Sequence, residues 1–285
     1  MERFARHIAA CNNIPSPAGY LPFRIGDEQV GWLEAEAARA LTFLPKAVHF
    51  GPEGVSLAAG LRGAAARTGA MAEIARALSR AGFGRIRGEE FDVRAHPAGP
   101  VLATVDRGVL PALGIMSQGV HMNGLVRRPP GPDGGLHLWV GWRAKDKAVA
   151  PGKLDNIVAG GIPAGLTPER CLAKEAEEEA SLPADLALRA RPVGRVSYIM
   201  RTEEGMRRDL LHLYDLDMPE DVTPRPNDDE VERFELWPIA RVLEAVRDTD
   251  DVKFNVNLVL IDLFLREGLL EDAGGTLRAG LDQIA

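Results

Sequence analysis

The chain has 285 residues, 46% of them hydrophobic and 26% charged, with a formal net charge of −7. That is the balance of an ordinary globular protein long enough for two domains, and the negative charge excludes the basic field that holds a nucleic acid backbone. The opening MERFARHIAACNN has no apolar signal core, no run approaches the ~18 apolar residues of a membrane helix, and Cys11 and Cys171 make neither a metal spacing nor a disulfide framework, so a reducing cytoplasm is expected.

In chain order, residues 29–43 read as an amphipathic helix following a short Val30-Gly31-Trp32 element. Residues 67–81 are a better helix, with Met71, Ile74, Ala75 and Leu78 at helical spacing, and 91–93 alternate like a strand. Residues 96–114 are rich in Pro, Gly and Ala, and a domain boundary is expected near their end, dividing the chain into 1–116 and 117–285. Beyond it, 120–126 and 136–142 read as paired strands around the turn-rich PPGPDGG of 129–135. A strand over 154–159 enters a glycine turn at Gly160-Gly161, and a helix follows with Thr167 as N-cap, Pro168 at its first position and Glu169 in its first turn. Residues 193–202 and 209–217 form a second strand pair, and 231–236 a short strand before a helix to about Arg247. Residues 255–266 close the chain as a buried helix despite Asn257 and Asp262. Strands around one acidic helix, with helices at the end, suggest a mixed sheet between helical layers.

The chemistry concentrates in LDNIVAGGIPAGLTPERCLAKEAEEEASL, residues 154–182. Glu175, Glu178 and Glu179 fall at i, i+3 and i+4, on one helical face. Like charges so close weaken a helix unless a cation neutralises them, and a hard divalent ion with oxygen ligands does so. The bland alternative for KEAEEEA is a solvated helix surface, but the glycine turn and the clean helix start argue against it.

These residues resemble the Nudix signature, G-x5-E-x7-R-E-U-x-E-E-x-G-U with U aliphatic. Gly160 stands at its first glycine, Lys174 at the arginine, Glu175 at the first core glutamate, and Glu178 and Glu179 at the pair. Leu166 replaces the early glutamate and Ser181 the second glycine. Phrases along nearly the whole chain are similar to the Nudix proteins that carry an N-terminal DUF4743 domain. They include Val30-Gly31-Trp32, Gly119 to Gly124, Pro151 to Asn156, Val196-Ser197-Tyr198, Tyr214-Asp215-Leu216 and Asn257-Leu258-Val259. Leu166 and Lys174 are typical of that family; Asp228-Asp229-Glu230 departs from its usual Asp-Gly-Glu.

The resemblance implies a Nudix α/β/α sandwich with a mixed β-sheet, preceded by a small α+β domain. It implies metal-dependent hydrolysis of a phosphoanhydride with Mg²⁺ (or Mn²⁺), and relatives point to oxidised or damaged thiamine diphosphate, cut to the monophosphate. ADP-ribose, NADH, coenzyme A or nucleotide sugars are the alternatives, as is a non-catalytic binding module. Glu175, Glu178 and Glu179 would hold the metal, with Lys174 holding a carboxylate in place. One of the three, or Glu230 or Glu232 from outside, would be the general base. Gly160 and Gly161 would let the backbone approach phosphates. Arg143, Lys145, Lys147 and Lys153 are candidates for phosphate oxygens, His121 and Asn123 for the organic group, and Trp142 and Tyr198 for stacking; ordinary surface or core roles account for each equally simply. The partner is a small-molecule diphosphate, with no nucleic acid and no membrane. For residues 1–116 a substrate lid, a homodimer contact and structural support all stand.

Overall fold

A computed structural model describes residues 1–14, 16–129, 131, 134–147 and 149–284. The first segment, ERFARHIAAC, spaces Phe4, His7, Ile8 and Cys11 along one face and forms α1 (Glu2–Cys11) with that face buried. Next come β1 (Leu21–Ile25), β2 (Glu28–Leu33), α2 (Ala35–Ala40), β3 (Val48–Gly51), β4 (Gly54–Leu57) and α3 (Gly63–Arg80). These strands make a four-stranded sheet in the order β2-β1-β4-β3. Then β5 (Glu90–Val93) pairs antiparallel with β6 (Ala103–Asp106), and α4 (Leu110–Leu113) leads out. One hydrophobic core, from Phe23 to Ile115, joins all of these elements except α1.

The helix expected over 29–43 is instead a strand and a shorter helix. Ile25 and Glu28 face each other across a two-residue turn whose Gly26 has φ +62°, so a local hairpin captures residues 28–33 before the helix-forming AEAARA run begins.

The second half opens with β7 (Met116–Arg128) and β8 (Gly135–Arg143); of the turn expected at 129–135, residues 130, 132 and 133 lie outside the described residues. The strand expected over 154–159 splits into β9 (Leu154–Asp155) and β10 (Val158–Gly161), because it changes partner from β8 to β7. Then follow α5 (Pro168–Ala180), α6 (Ala184–Ala187), β11 (Arg191–Thr202), β12 (Gly205–Asp217), β13 (Val231–Pro238), α7 (Ile239–Asp248), α8 (Phe254–Arg266) and α9 (Thr276–Gly280). Among the described residues the sheet has seven strands, β11-β12-β7-β8-β13 with β10 on β7 and β9 on β8. β12 and β7 run parallel and the other pairs antiparallel, so the sheet is mixed.

Alternation along β7 sorts its side chains onto two faces. Val120, Met122 and Val126 pack against Cys171, Leu172, Ala176 and Ala180 of α5. Leu125 faces the opposite core, where α8, α7 and α1 lie. The result is the expected α/β/α sandwich. In α8 every residue from Asn255 to Phe264 is buried, as a helix covered on all sides requires. Part of that cover is α1: the Phe4 and Phe264 rings meet edge-on at 6.3 Å, and His7 Nε2 lies 2.7 Å from the Val246 carbonyl. Among the described residues no helix is long and apolar enough to cross a membrane.

Candidate active site

Gly160 and Gly161, expected as a turn, are instead the last two residues of β10, paired with Val120 and Gly119 of β7; the chain turns toward α5 after them, at Ala164 and Gly165, where Gly165 has φ +81°. Thr167 Oγ1 accepts the Arg170 amide hydrogen at 3.3 Å and caps α5, with Pro168 in the first turn. At the other end Ser181 adopts the left-handed conformation, φ +52°, and the Leu182 N–H donates back to the Ala176 carbonyl at 3.0 Å. That geometry explains why the signature carries glycine there.

Apolar Ala176 and Ala180 anchor α5 to the sheet, which brings Glu175 and Glu179 against β10. Glu179 is buried and accepts the Ala159 N–H at 2.9 Å. Glu175 is half-buried against Gly160: a Cβ there would stand 2.5 Å from Glu175 Cγ and Cδ, so only glycine leaves room. Glu178 points outward, its side chain 51% exposed. Lys174 Nζ bridges Glu178 and Glu175, the latter at 3.2 Å.

Burial drives the electrostatics. It raises the Glu175 pKa despite the Lys174 ammonium beside it. It raises that of Glu179 well above the usual range, against the Ala159 N–H bond and reinforced by the charges of Asp155, Glu175 and Glu230. Burial works against the charged form of Lys174, but Glu178 and Glu175 outweigh it and its pKa goes up.

Among the described residues no three His, Cys, Asp or Glu side chains already converge closely enough to hold a metal ion. The donor set nevertheless fits a hard divalent cation. The donors are all oxygens, Gly160 makes the recess that seats Glu175, and an ammonium already draws Glu175 and Glu178 together.

Glu230 lies near enough for its charge to be felt by both Glu175 and Glu179. Its carbonyl accepts the Ala144 N–H at 2.9 Å, its N–H donates to Asp228 Oδ1, and Lys147 Nζ is 3.8 Å from its carboxylate. These two segments border a cavity of about 410 Å³ lined by Lys145, Asp146, Asp228 and Glu232 among others. Glu232 itself pairs with Arg233 at 3.7 Å.

Other expected residues lie elsewhere. Arg143 is buried, donating to Asp155 Oδ2 at 2.9 Å and to the Val149 carbonyl, so it braces strand ends instead of reaching for a phosphate. Lys153 donates to the Asp250 carbonyl. His121 and Asn123 lie on the sheet face opposite α5, in a buried network. There, the Asp215 carboxylate can only accept, so it must receive the Asn123 amide hydrogen (2.9 Å). Asn123 Oδ1 then accepts from Asn156 Nδ2 (2.8 Å), and Asn156 Oδ1 from His121 Nδ1 (2.8 Å). Burial and Lys253 push the His121 pKa down to about 4, so it is neutral near pH 7. Tyr198 is wholly buried with its hydroxyl donating to Asp209, and Trp142 lies under Arg233 and edge-on to Trp237, so neither presents a free stacking face.

Sequence reasoning missed Asp155, which Arg143 and Lys253 flank, and Cys171, whose thiol donates to the Gly161 carbonyl at 3.3 Å. It also missed Phe91, packed on Gly161. Their partners are distant in the chain; the polar Asn257 and Asp262 in an otherwise apolar helix were the only local sign of a buried network.

Comparison with known proteins agrees with this geometry. Residues 3–117 match the domain of unknown function DUF4743, and residues 124–257 match the NUDIX domain. The chain is 36% identical over 278 residues to Nudix hydrolase 20, chloroplastic, of Arabidopsis thaliana, covering 94% of this chain and 73% of that protein. It is 35% identical over 271 residues to Nudix hydrolase 24, chloroplastic, of the same plant, with the same coverage, 94% and 73%. It is 33% identical over 198 residues to the uncharacterized protein YJR142W of Saccharomyces cerevisiae, covering 65% and 56%. Nudix hydrolases generally use divalent metal ions. With the acidic helix, the glycine pair that ends β10 against it and the mixed sheet in place, the chain belongs to the Nudix hydrolase family and is a diphosphate hydrolase.

Proposed function

We propose that the protein cleaves the phosphoanhydride of thiamine diphosphate, in oxidised or damaged form, to the monophosphate and phosphate. The observation that carries the hydrolytic site is the seating of Glu175 on Gly160 beside Glu179 on the Ala159 amide. The choice of substrate is supported by the likeness to DUF4743-bearing Nudix proteins over both halves of the chain.

Glu175, Glu178 and Glu179 would hold Mg²⁺, for which Mn²⁺ could substitute. When bound, such an ion neutralises charge on phosphate oxygens and lowers the pKa of water. The chain's own part is positional. Glu179 is fixed by the Ala159 N–H, Glu175 by the Gly160 recess, and Glu178 by the Lys174 ammonium. Gly160 and Gly161 let backbone approach the diphosphate. Glu230, whose side chain is 46% exposed, accepts the proton of the attacking water. Arg143, His121 and Asn123 support the site from the buried network, while Lys153 is tied to the Asp250 carbonyl.

The proposed organisation is residues 1–116 ahead of a hydrolase region of 117–285, with α1 crossing over to cover α8. Both cysteines are free and buried, which suits a reducing cytoplasm. The protein acts on a small molecule, as a single chain or a homodimer.

A Mg²⁺-dependent hydrolysis screen tests this, using thiamine diphosphate, oxothiamine diphosphate, ADP-ribose and NADH with phosphate and monophosphate readouts. Turnover of the thiamine compounds above the others is expected. Preference for a nucleotide overturns the substrate assignment, and no turnover with any compound favours a binding module.

A further inference from the structure

Consecutive strand residues face opposite ways, so Gly160 and Gly161 open onto different neighbours. Gly160 receives Glu175. Gly161 receives the Phe91 ring: a Cβ there would lie 2.7 Å from Phe91 Cζ. Phe91 is 5% exposed and belongs to the core of the first half of the chain. Beside it, the Ala164 N–H donates to the Glu90 carbonyl at 2.8 Å, three residues before the Thr167 cap. The Ile162 N–H donates to the Gln118 carbonyl at 2.9 Å. Gly160 and Gly161 end β10 on its ladder with Val120 and Gly119 of β7, and neither has a side chain of its own to fix the exit from the strand. The β7 ladder holds one edge of this strand end, and β5 holds its exit through the Phe91 ring on Gly161 and the Glu90 carbonyl on Ala164.

We propose that β5, through the Phe91 ring and the Glu90 carbonyl, positions the end of β10 at Gly160-Gly161 and the turn that follows it into α5. The DUF4743 region thereby sets where the Glu175 carboxylate stands. Phe91 packs on one face of β10 while Glu175 leans on the other, so a shift of the strand end passes straight to the carboxylate. The region is then a working part of the hydrolase site without touching substrate. This rests on the reading of Glu175 as a metal carboxylate, which Glu175→Gln tests separately: full activity in that variant overturns the site itself.

The positioning role is tested in the full chain by amide hydrogen exchange and by steady-state kinetics on the compound turned over in the screen. Phe91→Ala is expected to speed exchange at Ile162 and Ala164 about tenfold. It is expected to lower kcat about tenfold with KM unchanged, since small misplacements of reacting groups cost that much. Phe91→Met, which refills the volume, restores both to within about threefold. Val55→Ala truncates a buried β4 residue of the same core without touching the turn, and it leaves both at wild-type values. Unchanged exchange or unchanged kcat in Phe91→Ala overturns the proposal, as does an equal effect of Val55→Ala.

Discussion

The Glu179 carboxylate accepts the Ala159 amide hydrogen at 2.9 Å, tying the C-terminal end of α5 to β10. A buried carboxylate held by a neutral donor, with Asp155, Glu175 and Glu230 all adding negative potential, is an unstable arrangement for a charge. It is tolerated where a cation is to be held.

The pH dependence follows from that position. Because the folded-state pKa of Glu179 is raised, the folded chain holds this proton more tightly than the unfolded chain does. Between the ordinary glutamate value of 4.5 and the folded pKa, rising pH costs stability. Metal-free Glu179→Gln, which keeps an acceptor for Ala159, should therefore melt above the wild type at pH 8. The gap should close as pH falls toward 4.5. Mg²⁺ should raise the melting temperature of the wild type and not of the variant. Calorimetric scans across pH check this, and a lower melting temperature at pH 8 would contradict it.

Glu178→Gln separates folding from turnover. The side chain is half exposed and its Lys174 pair is a surface one, so stability should move by no more than about 0.5 kcal/mol. Loss of a metal carboxylate should cost kcat about 100-fold or more, given that even the residues behind metal ligands cost 10–100-fold. Equal activity in the variant would refute its role.

Ser181→Gly should stabilise the protein. Serine at φ +52° carries a strain of about 1 kcal/mol that glycine does not. Urea unfolding should show a gain of that order with kcat unchanged, because the carboxylates of Glu175, Glu178 and Glu179 bond to Lys174 and the Ala159 amide and not to the Ser181 side chain.

Arg266→Met should be severe although it lies across the sheet from α5. Arg266 donates to Asp215 at 2.6 Å and to Asp262 at 2.7 Å, and both carboxylates are 1% exposed. Removing the cation leaves Asp215 buried with no counter-ion among the described residues, while Asp262 keeps Arg278, at a cost of about 3 kcal/mol. Denaturation midpoints measure it, and a loss under 1 kcal/mol would mean the pair is solvated.

Local signals were the legible ones. Thr167-Pro168-Glu169 and the carboxylate spacing marked α5 because capping and helical periodicity act within a few residues. The hairpin of β11 and β12 was marked because Glu203 and Glu204 close it directly. What was misread depended on distant partners. Nothing beside Arg143 in the sequence reveals Asp155 across the sheet, and a histidine and asparagine two apart on a strand look like ligand contacts until Asn156 and Asp215 are found against them. The helix α1 carried a periodic apolar face, yet its cover, α8, lies far along the chain. Residues 28–33 went wrong for the opposite reason: a turn of two residues outweighed the helix propensity that follows it.

The crossing of α1 onto α8 bears on how this protein can be dissected. A fragment cut to begin at residue 117 would lose Phe4, Ile8 and Cys11 from the second core and leave the flank of Val256, Leu260 and Phe264 open to water. Such a piece should be prone to clump, and expressing the catalytic half alone calls for residues 2–11 to be grafted back.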